Sequence, residues 1–142
     1  MLTNFTIIFR LFVAFILGSI IGFERERKGH SAGLRTHILV CVSSALIMLV
    51  SIYMYNIFKE QTNVDPSRIA ASVISGIGFL CAGTIIRGGA GVKGLTTAAS
   101  VWVSAAIGLC VGCGFIYPAF ITAGITFFAL SFLKLLEQKL EK

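Results

Sequence analysis

The longest uncharged stretch of the chain, 95-LTTAASVWVSAAIGLCVGCGFIYPAFITAGITFFALSFL-133, runs for 39 residues without an Asp, Glu, Lys or Arg. As one α-helix it would be about 58 Å long, nearly twice the roughly 30 Å hydrocarbon core of a bilayer. Glycine and proline are the residues that most often interrupt a helix, and Gly112, Gly114 and Pro118 lie near the middle of the stretch. The stretch therefore predicts two membrane-spanning helices, 95–113 and 117–135, joined by a tight turn.

The composition of the 142-residue chain also indicates an integral membrane protein. Apolar residues make up 56% of it and charged residues only 13%, whereas a soluble domain is about 25% charged. So few charges cannot cover a water-exposed surface, and a disordered chain would need low hydrophobicity and high charge. Three further apolar runs, at 5–23, 37–58 and 69–86, complete the prediction of an all-α bundle of five transmembrane helices, forming a single domain over 1–142.

The distribution of basic residues predicts the orientation of this bundle. The opposite side of the membrane is expected to carry only two or three basic residues. The loops after the first and third spans and the C-terminal tail together carry nine: Arg25, Arg27, Lys28, Arg35, Arg87, Lys93, Lys134, Lys139 and Lys142. Cytoplasmic loops of membrane proteins collect Lys and Arg, so we expect the tail inside and the N-terminus outside. The same rule accounts for the net charge of +6 without a nucleic-acid partner. Arg10, within the first span, is expected to extend its side chain to the membrane surface.

Small residues predict where the helices pack, because they allow close approach in lipid. Gly18 and Gly22 form a GxxxG pattern on span one, and further candidates lie on spans three and four: Gly76, Gly78, Gly83, Gly108 and Gly112. We expect a tight bundle centred on spans one, three and four. The same surfaces could instead form a dimer of the whole chain.

Two short motifs match chemical signatures only in part. Residues 89–94 read GxGxxG, but the element expected before them is a membrane helix and no acidic residue follows before Glu137, so a flexible turn is favoured over a dinucleotide site. Cys110 and Cys113 form a CxxC pair without the second ligand pair that a zinc site needs. We expect inert thiols, no cofactor and no enzymatic activity, since no nucleophile with a base and an orienting group is evident.

Polar residues near the span ends are the candidate functional site. Glu24, Arg25 and Glu26 end span one, Arg35 begins span two, and Arg87 follows span three. Glu24, at the membrane edge, needs a partner, for which Arg35 and Arg87 are candidates. These charges either define the structure by pairing or form a functional polar site. Asp65, with Pro66 next to it, is placed to cap span three, and a cation-binding role for it stays open. His30 and His37 are expected to be loop and interface residues.

The hydroxyls of spans three and four leave two interpretations open. They could line a polar path through the membrane, or bond to the backbone of their own helices: Ser72, Ser75, Thr84, Thr96, Thr97, Ser100 and Ser104. No Asp or Glu lies inside a span, whereas ion-coupled pumps usually carry one there.

Five blocks in order resemble the MgtC/SapB family: GSIIGFERE at 18–26, AGLRTH at 32–37, DPSRIAA at 65–71, SGIGFLCAG at 75–83 and GLTTAASVW at 94–102. The resemblance implies a bacterial inner-membrane protein linked to low-magnesium adaptation and virulence. It implies action by binding other membrane machines, including ATP synthase, and a polar motif set of Glu24, Arg25, Glu26, Arg35, Asp65, Arg68 and Arg87. Many members carry a soluble ACT-like domain after the membrane part, which we do not expect here. The alternative is a transporter or channel for Mg2+ or another cation, with Asp65 at the outer mouth and Glu24 and Glu26 at the inner one.

Overall fold

A computed structural model describes residues 2–88 and 91–133, with five helices in the order of the chain. They are α1 (Asn4–Arg27), α2 (Leu34–Phe58), α3 (Ser67–Thr84), α4 (Leu95–Cys113) and α5 (Ile116–Phe128). A π-helical turn, Ala129–Leu133, continues α5. Helices α1 to α4 are long and apolar enough to cross a membrane, and the shorter apolar helix Ile116–Phe132 follows them. The predicted five-helix membrane bundle is confirmed, while its orientation remains a prediction.

The break inside the uncharged stretch lies where the glycines predicted it. Helix α4 ends at Cys113, and Gly114 takes a φ of 93°, in the left-handed region that glycine adopts without steric cost. The backbone N–H of Phe115 donates to the carbonyl of Cys110, and that of Gly114 to the carbonyl of Val111. These two bonds form a Schellman motif, which satisfies carbonyls that the end of a helix leaves free. The predicted fifth span reaches residue 135, and residues 134 and 135 lie outside those described.

The centre of the bundle is formed by α1, α2 and α4, which corrects the expected centre on spans one, three and four. Val13, Leu17 and Ile21 of α1 pack with Cys41 and Ala45 of α2. From α4 and α5, four residues join the same cluster: Ile107, Val111, Ala119 and Ala123. Helix α3 contributes only Val73, Ile77 and Cys81 as buried residues, packed on α4 and part of α2. It lies at the edge because most of its small residues face away from the other helices.

The glycines of the central helices lie against the backbone of their neighbours. A Cβ added at Gly18 would stand 2.9 Å from the carbonyl oxygen of His37, and one at Gly22 would stand 2.8 Å from the Cα of Leu34. Gly108 and Gly112 meet the carbonyl groups of Cys41 and Ala45 in the same way. On α3, by contrast, a Cβ at Gly76, Gly78 or Gly83 would meet nothing within 4 Å. Those three glycines therefore pack against no other part of the described chain.

A short β-hairpin joins α3 to α4, where the sequence indicated only a flexible turn. Strand β1 (Ile86–Gly88) pairs antiparallel with β2 (Gly91–Lys93), with Arg87 opposite Val92. Gly94 then begins α4 with a φ of 91°, and its backbone lies against the carbonyl of Thr84. The hairpin and Gly94 together hold the end of α3 close to the start of α4.

Candidate functional site

The charged residues of the candidate site divide between the two ends of the bundle. Because successive helices run in opposite directions, the end of α1 lies beside the start of α2, the hairpin and the start of α4. We call this end the basic end, defined by Arg25, Arg27, Lys28, Arg35, Arg87 and Lys93. Glu24 and Glu26 lie there too. Asp65 and Arg68, before and in the first turn of α3, lie at the opposite end, so the seven predicted residues do not form one cluster.

Glu24 and Arg25 are buried at the last turn of α1. The exposed fraction is 5% for Glu24 and 2% for Arg25. Glu24 forms an ion pair with Lys28, 2.5 Å from its Oε1, one helical turn further along. Its other oxygen, Oε2, accepts no hydrogen bond from the described residues. The expected pairing of Glu24 with Arg35 or Arg87 is therefore wrong, because both arginines lie exposed while Lys28 reaches back along the same helix.

Arg25 connects α1 to α4 through a neutral partner. Its Nη2 donates to the hydroxyl of Thr97 at 3.0 Å, and its Nε has no acceptor among the described residues. In the described part of the chain Glu24–Lys28 is the one ion pair, so Arg25 has no direct ion-pair contact there, although the nearby carboxylate of Glu24 attracts its guanidinium. A buried cation whose donors are not all hydrogen-bonded is costly, which makes Arg25 the most notable residue of the basic end.

His37 is the residue that the sequence analysis missed, because it is fully buried rather than at the interface. Its Nδ1 donates to the carbonyl of Gly33 at 2.8 Å, and its Nε2 lies 3.1 Å from the hydroxyl of Ser100 on α4. The Ser100 hydroxyl also donates to the carbonyl of Thr97. When the imidazole ring of His37 is neutral and carries its proton on Nδ1, Nε2 is an acceptor. The single hydroxyl proton of Ser100 then faces two acceptors, Nε2 of His37 and the carbonyl of Thr97. The burial of His37 could have been predicted from its spacing, because His37, Cys41 and Ser44 lie on one face of α2.

Glu26 supports the start of α2 from the neighbouring helix. Its Oε2 accepts a hydrogen bond from the backbone N–H of Leu34 at 2.9 Å, one of the N–H groups that a helix start leaves without a partner. A Cβ on Gly33 would overlap this carboxylate, so the contact as it stands requires glycine or a shift of the Glu26 side chain. Glu26 therefore has a structural contact of its own, separate from Glu24 and Arg25.

At the opposite end, Asp65 acts as the predicted cap of α3. Its Oδ1 accepts a hydrogen bond from the backbone N–H of Ser67 at 2.8 Å. Hydrogen bonds from Ser67, first from its hydroxyl and second from its backbone N–H, lower the pKa of Asp65 below its ordinary value. Arg68 is exposed beside it.

Arg10 also has a partner on another helix. Its Nη1 donates to the carbonyl of Gly112 at 2.8 Å, in the last turn of α4, where cations interact favourably with the helix dipole. It ties the first part of α1 to the end of α4, and its expected position at the membrane surface stays a prediction.

Hydroxyls of α3 and α4 bond to their own helices, which favours the second of the two interpretations. Ser72 donates to the carbonyl of Arg68, Ser75 to that of Ala71, and Ser104 to that of Ser100. Within the described ranges, no three His, Cys, Asp or Glu side chains gather where they could hold a metal ion. The hydroxyls of Ser72, Ser75 and Ser104 are thus engaged with the backbone of their own helices.

Comparison with known proteins identifies the family. The model of the MgtC family matches residues 11–139. The chain belongs to the MgtC family. It is 48% identical over 109 residues to a protein named "Putative magnesium transporter YhiD" from Escherichia coli, covering 75% of this chain and 51% of that protein. It is 41% identical over 128 residues to "Protein MgtC" from Brucella abortus, covering 90% of this chain and 51% of that protein.

These matches cover only part of each relative. The chain spans about half the length of the curated relatives it matches. No solved structure matches it. The fold and the family together identify a membrane protein of MgtC type, in agreement with the resemblance of the five sequence blocks.

Proposed function

We propose that this chain is a non-enzymatic protein of the bacterial inner membrane that serves magnesium homeostasis by binding and modulating other membrane complexes. The names of its relatives, a putative magnesium transporter and MgtC, support the connection with magnesium. Family membership also makes a role in virulence part of the proposal. Binding rather than transport is supported by the hydroxyls and carboxylates described above, which are engaged in helix packing and capping.

The outer face of α3 is the single observation that carries this proposal. We define it by Gly76, Phe79, Leu80 and Gly83, all of which lie exposed. Phe79 is 81% exposed, and an added Cβ at either glycine would meet nothing within 4 Å. In lipid, small residues let a second helix approach closely and a large side chain beside them can interlock with it. This face is suited to another transmembrane helix, from a larger complex such as ATP synthase or from a second copy of this chain.

Site-specific photo-crosslinking in living cells tests the proposal. A photoreactive amino acid at Phe79 of the α3 outer face should give crosslinks to one defined membrane protein. Phe5 on α1 is a matched control, because it is 79% exposed but lies outside that face. Crosslinking at both positions to the same mixture of proteins, or to none, would contradict docking through α3. Crosslinks to a second copy alone would support the homo-oligomer.

Transport of Mg2+ is the competing function, and purified protein in liposomes separates it from binding. We expect no Mg2+ flux above that of empty liposomes from protein whose helical content has been verified. Saturable flux that disappears in a Glu26→Gln, Asp65→Asn variant would instead establish a transporter or channel and overturn the binding mechanism. The variant changes one carboxylate at each end of the bundle, where a cation would enter or leave.

A further inference from the structure

A cleft between α4 and α5 opens beside the buried Arg25. Its volume is about 480 Å3, and we call it the α4–α5 cleft. One face of α4 lines it at helical spacing, with Thr96 and Ser100 towards the basic end and Val103 two turns deeper. From α5 and the π-helical turn, Ile125 and Leu130 form the other wall. The polar residues Arg25 and Thr96 lie at the basic end of the cleft, together with the apolar Leu130. Deeper in the cleft, Val103 and Ile125 lie near Thr126, whose hydroxyl donates to the carbonyl of Thr122 on its own helix.

The polar part of the cleft lies beside two cations, Arg25 and Lys28, that share the carboxylate of Glu24. Arg25 lines the cleft, is 2% exposed, and donates only to the neutral hydroxyl of Thr97 among the described residues. Glu24, the acid next to it in the chain, is paired with Lys28. A guanidinium matches the geometry of phosphate oxygens with several donors. An anion in the cleft would accept a hydrogen bond from the Nε of Arg25, which has no acceptor among the described residues.

The wall formed by the π-helical turn is fixed by a contact from α1. Lys28 donates from its Nζ to the carbonyl of Leu130 at 2.9 Å, while Ala129 and Leu130 line the cleft. Single π-helical turns within α-helices occur frequently at functional sites. Here the turn holds α5 beside the charged end of α1, so that the cleft combines a basic edge with apolar walls.

We propose that the α4–α5 cleft binds an anionic phospholipid, with the headgroup phosphate at Arg25 and an acyl chain between Val103 and Ile125. Basic pockets between transmembrane helices are known to bind anionic headgroups at this level of the membrane. With Arg25 at the basic end and Val103 and Ile125 deeper in the cleft, the cleft can hold the headgroup and an acyl chain of a lipid that lies parallel to the helices. This site is separate from the α3 outer face and does not depend on the proposed docking function.

Lipid binding to the delipidated full chain in detergent, measured by native mass spectrometry, tests the proposal. Phosphatidylglycerol should bind more tightly than zwitterionic phosphatidylcholine of the same acyl chains. Ala99→Leu adds bulk inside the cleft and should weaken phosphatidylglycerol binding about tenfold, because overfilling a fitted site displaces its occupant. Ala71→Leu is the matched control, since Ala71 is an exposed alanine on α3, and it should bind phosphatidylglycerol as the unchanged chain does.

Further measurements separate the sources of the anion. Glycerol phosphate, which carries the headgroup phosphate without acyl chains, should bind weakly. Oleate, which has an acyl chain without a phosphate, should bind less tightly than phosphatidylglycerol. Equal binding of the two phospholipids, equal binding of oleate, or unchanged phosphatidylglycerol binding by Ala99→Leu would each overturn the proposal. Arg25→Gln should remove the preference for phosphatidylglycerol over phosphatidylcholine. If the Arg25→Gln variant fails to fold, the comparison of phosphatidylglycerol binding by Ala99→Leu and Ala71→Leu still tests whether the lipid binds in the α4–α5 cleft.

Discussion

Individual polar side chains in this protein act mainly by satisfying the ends and crossings of helices. Glu26 binds the first N–H of α2, Asp65 binds an N–H at the start of α3, and Arg10 binds a carbonyl at the end of α4. Backbone groups left without partners are costly in lipid, where no water is at hand to replace them. Charges near the membrane edge can therefore be required by the fold before any function is considered.

The pH dependence of stability should report the capping role of Asp65. Its pKa is lowered in the folded chain by the hydrogen bonds from Ser67, so the cap contributes stability above the pKa of the unfolded state. That contribution is lost as the pH falls through the lower folded pKa. Asp65→Asn, which keeps a side chain able to cap, should remain folded at neutral pH but lose this acid-dependent step. Denaturant unfolding of both proteins from pH 7 to pH 3 measures it, and superimposable pH profiles would contradict the assignment.

Elements of the bundle differ in how they use small residues. Helices α1, α2 and α4 approach so closely that the glycines between them touch backbone, whereas the glycines of α3 face open space. The sequence pattern is the same in both cases, since GxxxG-like spacing does not say which face of a helix meets a neighbour. The sequence shows which positions hold small residues. It does not show which of these residues pack between helices of the bundle and which face away from it.

Two glycine-to-alanine changes should have opposite effects on stability. Gly22→Ala places a Cβ 2.8 Å from the Cα of Leu34, and the forced backbone shift should cost about 1–3 kcal/mol. Gly78→Ala meets nothing within 4 Å and should stabilise α3 by about 0.5–1 kcal/mol, because alanine favours the helix over glycine. Unfolding in mixed micelles with rising dodecyl sulfate measures both. A loss of stability in Gly78→Ala similar to that in Gly22→Ala would show that the α3 glycines are packed after all.

At the scale of the whole molecule, α1 and α4 are tied to each other at both ends. Arg10 binds Gly112 at one end, and Arg25 binds Thr97 at the other. The number of helices, the break at Gly112 to Gly114 and the cap at Asp65 could all be predicted from hydropathy and local residue preferences. The contacts of Arg10, Arg25 and His37 with α4 could not, because they depend on which residues distant in the chain meet across a helix pair. The β-hairpin was missed for a similar reason, since three-residue strands carry too little pattern.

The contact between Arg10 and Gly112 should be measurable as stability of the entire bundle. Arg10→Met keeps much of the length of the side chain but removes the charge-assisted hydrogen bond, and we expect a loss of about 1.5–3 kcal/mol. Arg35→Met is a suitable control, because Arg35 is an exposed arginine in the first turn of α2 and should change stability little. Unfolding followed by circular dichroism in detergent provides the measurement. Equal stability of the two variants would mean that the Gly112 carbonyl does not need Arg10.

The marginal place of α3 in the packing has a consequence for how such a protein can evolve. Among the described residues, a substitution on its outer face disturbs almost no contact, so it changes what the helix presents to the membrane while leaving the fold intact. Substitutions on the touching faces of α1, α2 and α4 have no such freedom. Relatives that share one stable frame of helices can therefore acquire different binding preferences by altering a single helix.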